Sequence, residues 1–180
     1  MASHDYSSLL LTGFVNNLLV TVLAAIIPAG VGIGLTFLMK AVDQRGLRIP
    51  LRVIGAVFYS LAPTALLTFL YFCVMATARS QMVPVILTLM ISHLGFFPMF
   101  FDAGASAGKN IVVNLIGLFA SLFMWSTISS LIGYHDIVYV GTMARQSTFD
   151  AKYCVIVLLI TFVFLAVLNV ARMILKEVMK

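Results

Sequence analysis

The chain has 180 residues, is 62% hydrophobic and 9% charged, and carries a formal net charge of +5. A soluble domain carries about 25% charged residues, so this chain cannot cover its apolar surface with polar groups and lipid must be its solvent. The basic residues stand beside apolar runs, where they read as topology signals and not as a nucleic-acid surface.

The first eight residues, MASHDYSS, lack the basic n-region of a cleaved signal peptide. The apolar run that follows is too long for an h-region and is expected to stay as a span. In lipid every backbone polar group needs an internal partner, so long apolar runs become helices. A span takes roughly 20 residues. Five runs qualify: Thr12–Met39, Val53–Ala76, Val83–Phe101, Ile111–Ile132 and Tyr153–Ile174. The expectation is an all-α membrane protein, one transmembrane domain over residues 1–180.

The first run would extend about 42 Å as a helix, against a hydrocarbon core of roughly 30 Å. It must tilt, kink or protrude, and Pro28 offers a kink. Gly30 and Gly34, with Gly32 between them, form a GxxxG spacing that predicts close helix packing. A dinucleotide fingerprint is excluded, because the spacing is wrong and no strand precedes it.

Charge sets the orientation. With the N-terminus outside, the inner segments hold Lys40, Arg45, Arg48, Arg52, Lys109, Arg172, Lys176 and Lys180. The outer segments hold Arg79, Arg145 and Lys152. The C-terminus is then cytoplasmic. The first inner loop, KAVDQRGLRIPLR, carries the strongest bias.

The stretch FDAGASAGKN between the third and fourth runs contains Asp102, Gly104, Gly108 and Lys109. It is no P-loop: only three residues separate the glycines, and Asn110 follows the lysine where Ser or Thr is needed. It reads as a tight polar turn.

His93 lies inside the third run beside Ser92. One reading makes it a polar contact for a substrate or proton on a pathway. The other makes it a neutral ring bonded to a neighbouring helix. Asn16, Asn17, Asn114 and Asn169 read as helix-to-helix hydrogen bonds. Ser126, Thr127, Ser129 and Ser130 form a polar stripe that either lines a cavity or returns bonds to its own helix. Cys73 and Cys154 fall in apolar runs and read as small buried hydrophobes, with no metal-ligand spacing. No catalytic motif occurs, so neither an enzyme nor a cofactor or metal site is expected.

From the fourth run onward, Ser126–Gly133, Asp136 and Thr148–Phe149 match in order a Thr-Ser-Leu-x-Ser-x-Ile-Gly segment, an acidic residue and a Thr-Phe. This resembles the C-terminal end of permease subunits of polar amino-acid ATP-binding cassette importers (type I, MetI-like). NNLLVTVLAAIIPAGVGIGLTFLMKA and LAPTALLTFLYF fit the same family's first two spans. The resemblance implies five helices with the N-terminus outside, a two-permease assembly, separate ATPase subunits and an extracytoplasmic solute-binding protein. It also implies residence in the bacterial cytoplasmic (inner) membrane.

The family carries a long cytoplasmic segment between spans three and four, with a Glu-Ala-Ala motif and a coupling helix. Here the connection is DAGASAGKN, with no Glu-Ala-Ala, and its nine residues reach at most about 30 Å. Trp125 also stands where the family has a polar or acidic residue, and Ala151 replaces a frequent Pro. The expected function is that of a degenerate permease subunit, paired with a full-length permease that supplies the ATPase contact. The alternative is a non-transporting scaffold or regulator. Ser92, His93, Ser126, Thr127 and Ser129 are the pathway candidates. The outer segment Tyr134–Tyr153 is either a docking loop for an extracytoplasmic protein or a capped connection lying on the membrane.

Overall fold

The computed structural model describes residues 6–42, 45–74, 80–101 and 107–178. All of the regular structure among them is helical. The helices are α1 (Tyr6–Val42), α2 (Arg45–Tyr59), α3 (Pro63–Thr68), α4 (Met82–His93), α5 (Pro98–Phe101), α6 (Ala107–Ser126), α7 (Ile137–Thr148) and α8 (Lys152–Val178). A wide π-helical turn, Phe69–Val74, extends α3. Tight 3₁₀ turns, Leu94–Phe96 and Thr127–Ile132, extend α4 and α6.

Three stretches are long and apolar enough to cross a membrane: Tyr6–Met39, Asn110–Ile132 and Lys152–Val178. A fourth crossing exists if Gly46–Tyr59 and Pro63–Cys73, bent by 66° at the break between them, count as one span. Met82–Phe96 is a shorter apolar helix.

Two expected spans therefore differ from the sequence reading. The run at 53–76 begins earlier, at Arg45, and breaks at Ser60–Ala62. Pro63 is the reason: it favours an extended preceding residue, and Ala62 is extended, at φ −64° and ψ 117°. The run at 83–101 is interrupted ahead of Pro98, where Leu94–Phe96 tightens into a 3₁₀ turn.

α1 continues through Pro28. It is apolar all round, yet only one stripe is buried in the protein: Leu10, Gly13, Asn17, Val20, Thr21, Ala24, Pro28, Gly32, Thr36 and Met39. Steps of three and four along that list are the helical repeat. The opposite side, with Leu11, Val15, Val22 and Ile26, is exposed, as suits a helix face solvated by lipid. α8 goes further: only Val157 of its 27 residues is fully buried.

The core sits where α1, α4 and α6 meet. Val20 and Ala24, Val85 and Leu89, and Leu118 and Leu122 pack together there with Leu67 and Phe100. A second cluster joins Leu10, Ile137, Val140 and Val157, and it ties α7 to α1 and α8.

The segment Tyr134–Tyr153 holds a helix, α7, capped at its start by Asp136. α7 runs antiparallel to the start of α1: Tyr6 meets Ser147, while Asn17 meets Ile137. Its other side packs on α8, where a Cβ on Gly141 would come within 2.5 Å of Val157.

The glycine pair expected to mediate packing does not do so within this chain. A Cβ at Gly30 or Gly34 would meet nothing within 4 Å. The glycine between them does the packing, since a Cβ at Gly32 would strike the Phe100 ring at 2.5 Å. The buried stripe passes through 28, 32 and 36, which turns 30 and 34 away.

Candidate functional site

The two helix interruptions meet. Where α2 crosses the 3₁₀ turn after α4, a Cβ on Gly95 would lie 2.5 Å from the Tyr59 nitrogen and 2.8 Å from the Gly55 carbonyl oxygen. A Cβ on Gly55 would meet Pro98 at 2.4 Å. Only paired glycines permit this approach. The crossing holds the α2–α3 break beside the end of α4, and a cleft of about 170 Å³ opens between them and α6. Its walls are Tyr59, Leu61 and Pro63 from the break, Ser92, His93 and Phe96 from α4 and its turn, and Ser121 and Trp125 from α6.

His93 stands in the cleft wall between Ser92 and Phe96. Its ring stacks on Phe96 with centroids 5.2 Å apart and planes 11° from parallel. Nδ1 lies 3.0 Å from the Leu89 carbonyl oxygen and 3.0 Å from the Ser92 hydroxyl. Nε2 lies 3.1 Å from the Ser121 hydroxyl. A carbonyl only accepts, so Nδ1 must carry a proton to bond Leu89. In the neutral ring Nε2 then accepts from Ser121; in the protonated ring it donates, and Ser121 must rotate. Ser121 is the middle residue of the Asn110–Ile132 span. His93 therefore bonds a neighbouring helix and stands in the wall of a cleft.

The other pathway candidates do not join this cleft. Ser126 and Ser129 belong to a separate buried network at the far end of α6. Asn17 donates to Ser126 at 2.8 Å and accepts the Ile137 N–H at 2.9 Å. Ser126 also donates to the Phe123 carbonyl at 2.7 Å. Ser129 donates to Asp136 at 2.6 Å, and the other Asp136 oxygen caps α7 by accepting the Tyr139 N–H at 2.7 Å. Asp136 is fully buried. Burial pushes its carboxyl above the usual carboxylate range, against the opposing pull of the Ser129 hydroxyl and backbone N–H groups. Gly13 fits beneath, where a Cβ would stand 2.9 Å from the Asp136 carbonyl oxygen.

Thr127 bonds the Met124 carbonyl at 2.8 Å and lines a third place, a groove between α7 and α8. Ser130 returns its bond to its own helix, at Thr127. Of the asparagines, Asn16, Asn17 and Asn114 bond other segments, whereas Asn169 bonds Leu165 in its own helix. Asp102 and Gly104 lie outside the described residues, and Gly108 and Lys109 open α6. The cysteines correct the sequence reading: Cys73 is exposed and Cys154 half-buried, both free. In a lipid-solvated chain an apolar position need not be an interior one. Among the described residues no three His, Cys, Asp or Glu side chains gather as a metal site.

Sequence reasoning missed Ser121 and Tyr59 as cleft residues. Ser121 is a lone hydroxyl in an apolar helix, indistinguishable from one bonded to its own turn. Gly55 and Gly95, the residues that build the cleft, were legible only as small residues.

No protein-family model and no curated protein matches the sequence. In structure the chain is similar to a solved chain described as an amino acid ABC transporter with histidines. The TM-score is 0.77 at 19% sequence identity, over 96% of this chain and 95% of that one. The chain therefore shares the fold of that transporter chain, carried by multiple apolar helices.

Proposed function

We propose that this chain is a membrane-spanning permease subunit of an ATP-binding cassette importer of the amino-acid type. The observation that carries the reading is the near end-to-end match to a chain of an amino acid ABC transporter, which agrees with the motif order in residues 126–149. In this reading the bent pair and the interrupted α4–α5 segment count as spans two and three. The chain then crosses the bacterial inner membrane five times, with its N-terminus outside.

The chain is a degenerate member, paired with a complete permease that grips the ATPase. α5 ends at Phe101 and α6 begins at Ala107. Five residues between helix ends reach at most about 20 Å, too little for a coupling helix and its two approaches. Hydrolysis then belongs to separate ATPase subunits, and this chain is no enzyme. Ser92 and His93, with Ser121 added, are its contribution to a solute pathway. Interrupted helices meeting near mid-membrane are where transporters place such sites. An extracytoplasmic solute-binding protein completes the assembly.

One observation favours the second reading, a non-transporting scaffold. The hydroxyls of Ser121, Ser126 and Ser129 and the His93 ring are all engaged in internal bonds. Gentle solubilisation and capture of this chain separates the two. Co-purification of a full-length permease and an ATPase supports the importer. An unrelated assembly containing neither overturns it.

A further inference from the structure

The groove between α7 and α8 has no part in the cleft or the polar network. Gly141 and Thr142 form one wall, and Cys154, Leu158, Phe162 and Leu165 the other. The α8 residues recur at steps of four and three, so they share one face. Leu158 and Phe162 are each 67% exposed and stand at the open rim.

The groove's dimensions choose its occupant. From Cys154 to Leu165 α8 rises about 16 Å, and one leaflet of hydrocarbon is about 15 Å deep. The upper end lies just inside Lys152 and Tyr153. There the Tyr153 ring meets Tyr6 edge-on at 5.3 Å, an aromatic pair of the kind that marks a headgroup level. The groove therefore begins at the interface and stops one leaflet down. Its volume of about 480 Å³, spread over that length, leaves a cross-section of about 30 Å². That is room for one hydrocarbon chain lying along the groove.

The polar end has a matching charge. Arg145 follows Gly141 and Thr142 by four and three residues, so it lies on the same face of α7, one turn nearer the interface. Arg145, Gln146 and Phe149 line a shallow depression of about 420 Å³ at that end. Phe149 is 94% exposed and holds a left-handed backbone, φ 55°.

We propose that this groove is a phospholipid site: one acyl chain lies between α7 and α8, and the phosphate is held by Arg145. The site rests on the chain crossing a bilayer and is independent of whether it transports.

The test uses the full chain in nanodiscs of phosphatidylethanolamine and phosphatidylglycerol, 3:1, doped with a phosphatidylglycerol bearing a diazirine on one acyl chain. Photolabelling is mapped by peptide sequencing. Adducts concentrated on the groove residues of α7 and α8 are expected, and Cys154→Trp, which fills the groove, removes them. Arg145→Ala weakens lipid retention about tenfold, the loss of one charge-assisted bond. Labelling spread evenly over the exposed face of α8, and unchanged in Cys154→Trp, overturns the site. So does efficient cross-linking of Cys154 to a second copy in Cys73→Ser protein, which makes the groove a protein interface. A fall in transport without loss of groove labelling bears on the importer reading alone.

Discussion

The amide oxygen of Asn17 accepts the backbone N–H of Ile137 at 2.9 Å, 120 residues away along the chain. That N–H opens α7 and has no partner inside its own helix. The Asn17 nitrogen meanwhile donates to Ser126. One side chain thus joins α1, the end of α6 and the start of α7.

Asn17→Leu keeps the volume and removes both bonds. It leaves a buried N–H unsatisfied, and a loss of about 1–3 kcal/mol follows. Thermal unfolding of the purified protein in detergent measures it. An unchanged melting temperature would show that Asn17 and Ile137 do not meet.

Asp136 caps the same helix. Asp136→Ala should cost about 1 kcal/mol or more and strand the Ser129 hydroxyl, while Asp136→Asn keeps a capping oxygen and should cost less. The carboxyl's acidity is shifted upward by burial, so the folded protein holds a proton at pH values where the unfolded chain has released it. The sign follows from linkage: stability from this group is fully present below the ordinary carboxylate pKa and declines as pH rises through the folded value. Denaturation profiles across acidic to neutral pH should show that decline, and Asp136→Asn should flatten it. Identical profiles would refute the burial argument.

Gly95→Ala places a methyl 2.5 Å from the Tyr59 nitrogen and 2.7 Å from its Cα. Backbone atoms cannot rotate aside, so α2 must shift, at a cost of about 1–3 kcal/mol. Gly30→Ala and Gly34→Ala meet open space. In the isolated chain they should be neutral or stabilising by up to about 1 kcal/mol. Chemical denaturation of the three variants gives the ranking; a larger loss at Gly30 or Gly34 than at Gly95 would reverse the packing described above.

His93 and Ser121 join α4 to α6. A double-mutant cycle with His93→Ala and Ser121→Ala should return a coupling near 0.6 kcal/mol, and at most about 2. Zero coupling would show that the two side chains act apart. If the cleft serves a solute, His93→Ala also lowers uptake by about tenfold, as loss of a buried polar contact does. Full uptake in that variant would remove His93 from the pathway.

Composition and run length made the helical membrane character readable, because lipid leaves the backbone no alternative to internal bonding. The order of residues from Ser126 to Phe149 pointed to the fold that the solved transporter chain shares. Pro63 and Pro98 were visible, yet their consequences were not: a proline does not reveal whether its helix bends, breaks or continues. Pro28 stands inside an uninterrupted α1, while Pro63 opens a new helix after a 66° bend.

What the sequence determined by itself was the solvent, the helices and the polar residues scarce enough to matter. Which of those residues stand together was decided only by tertiary packing. In a helix apolar all round, periodicity cannot single out the inward stripe, so nothing local separates Gly32 from Gly30, or Ser121 from any other hydroxyl. The close approach of Gly95 to Gly55 and the antiparallel seating of α7 divided five candidate residues among a cleft, a buried network and a groove.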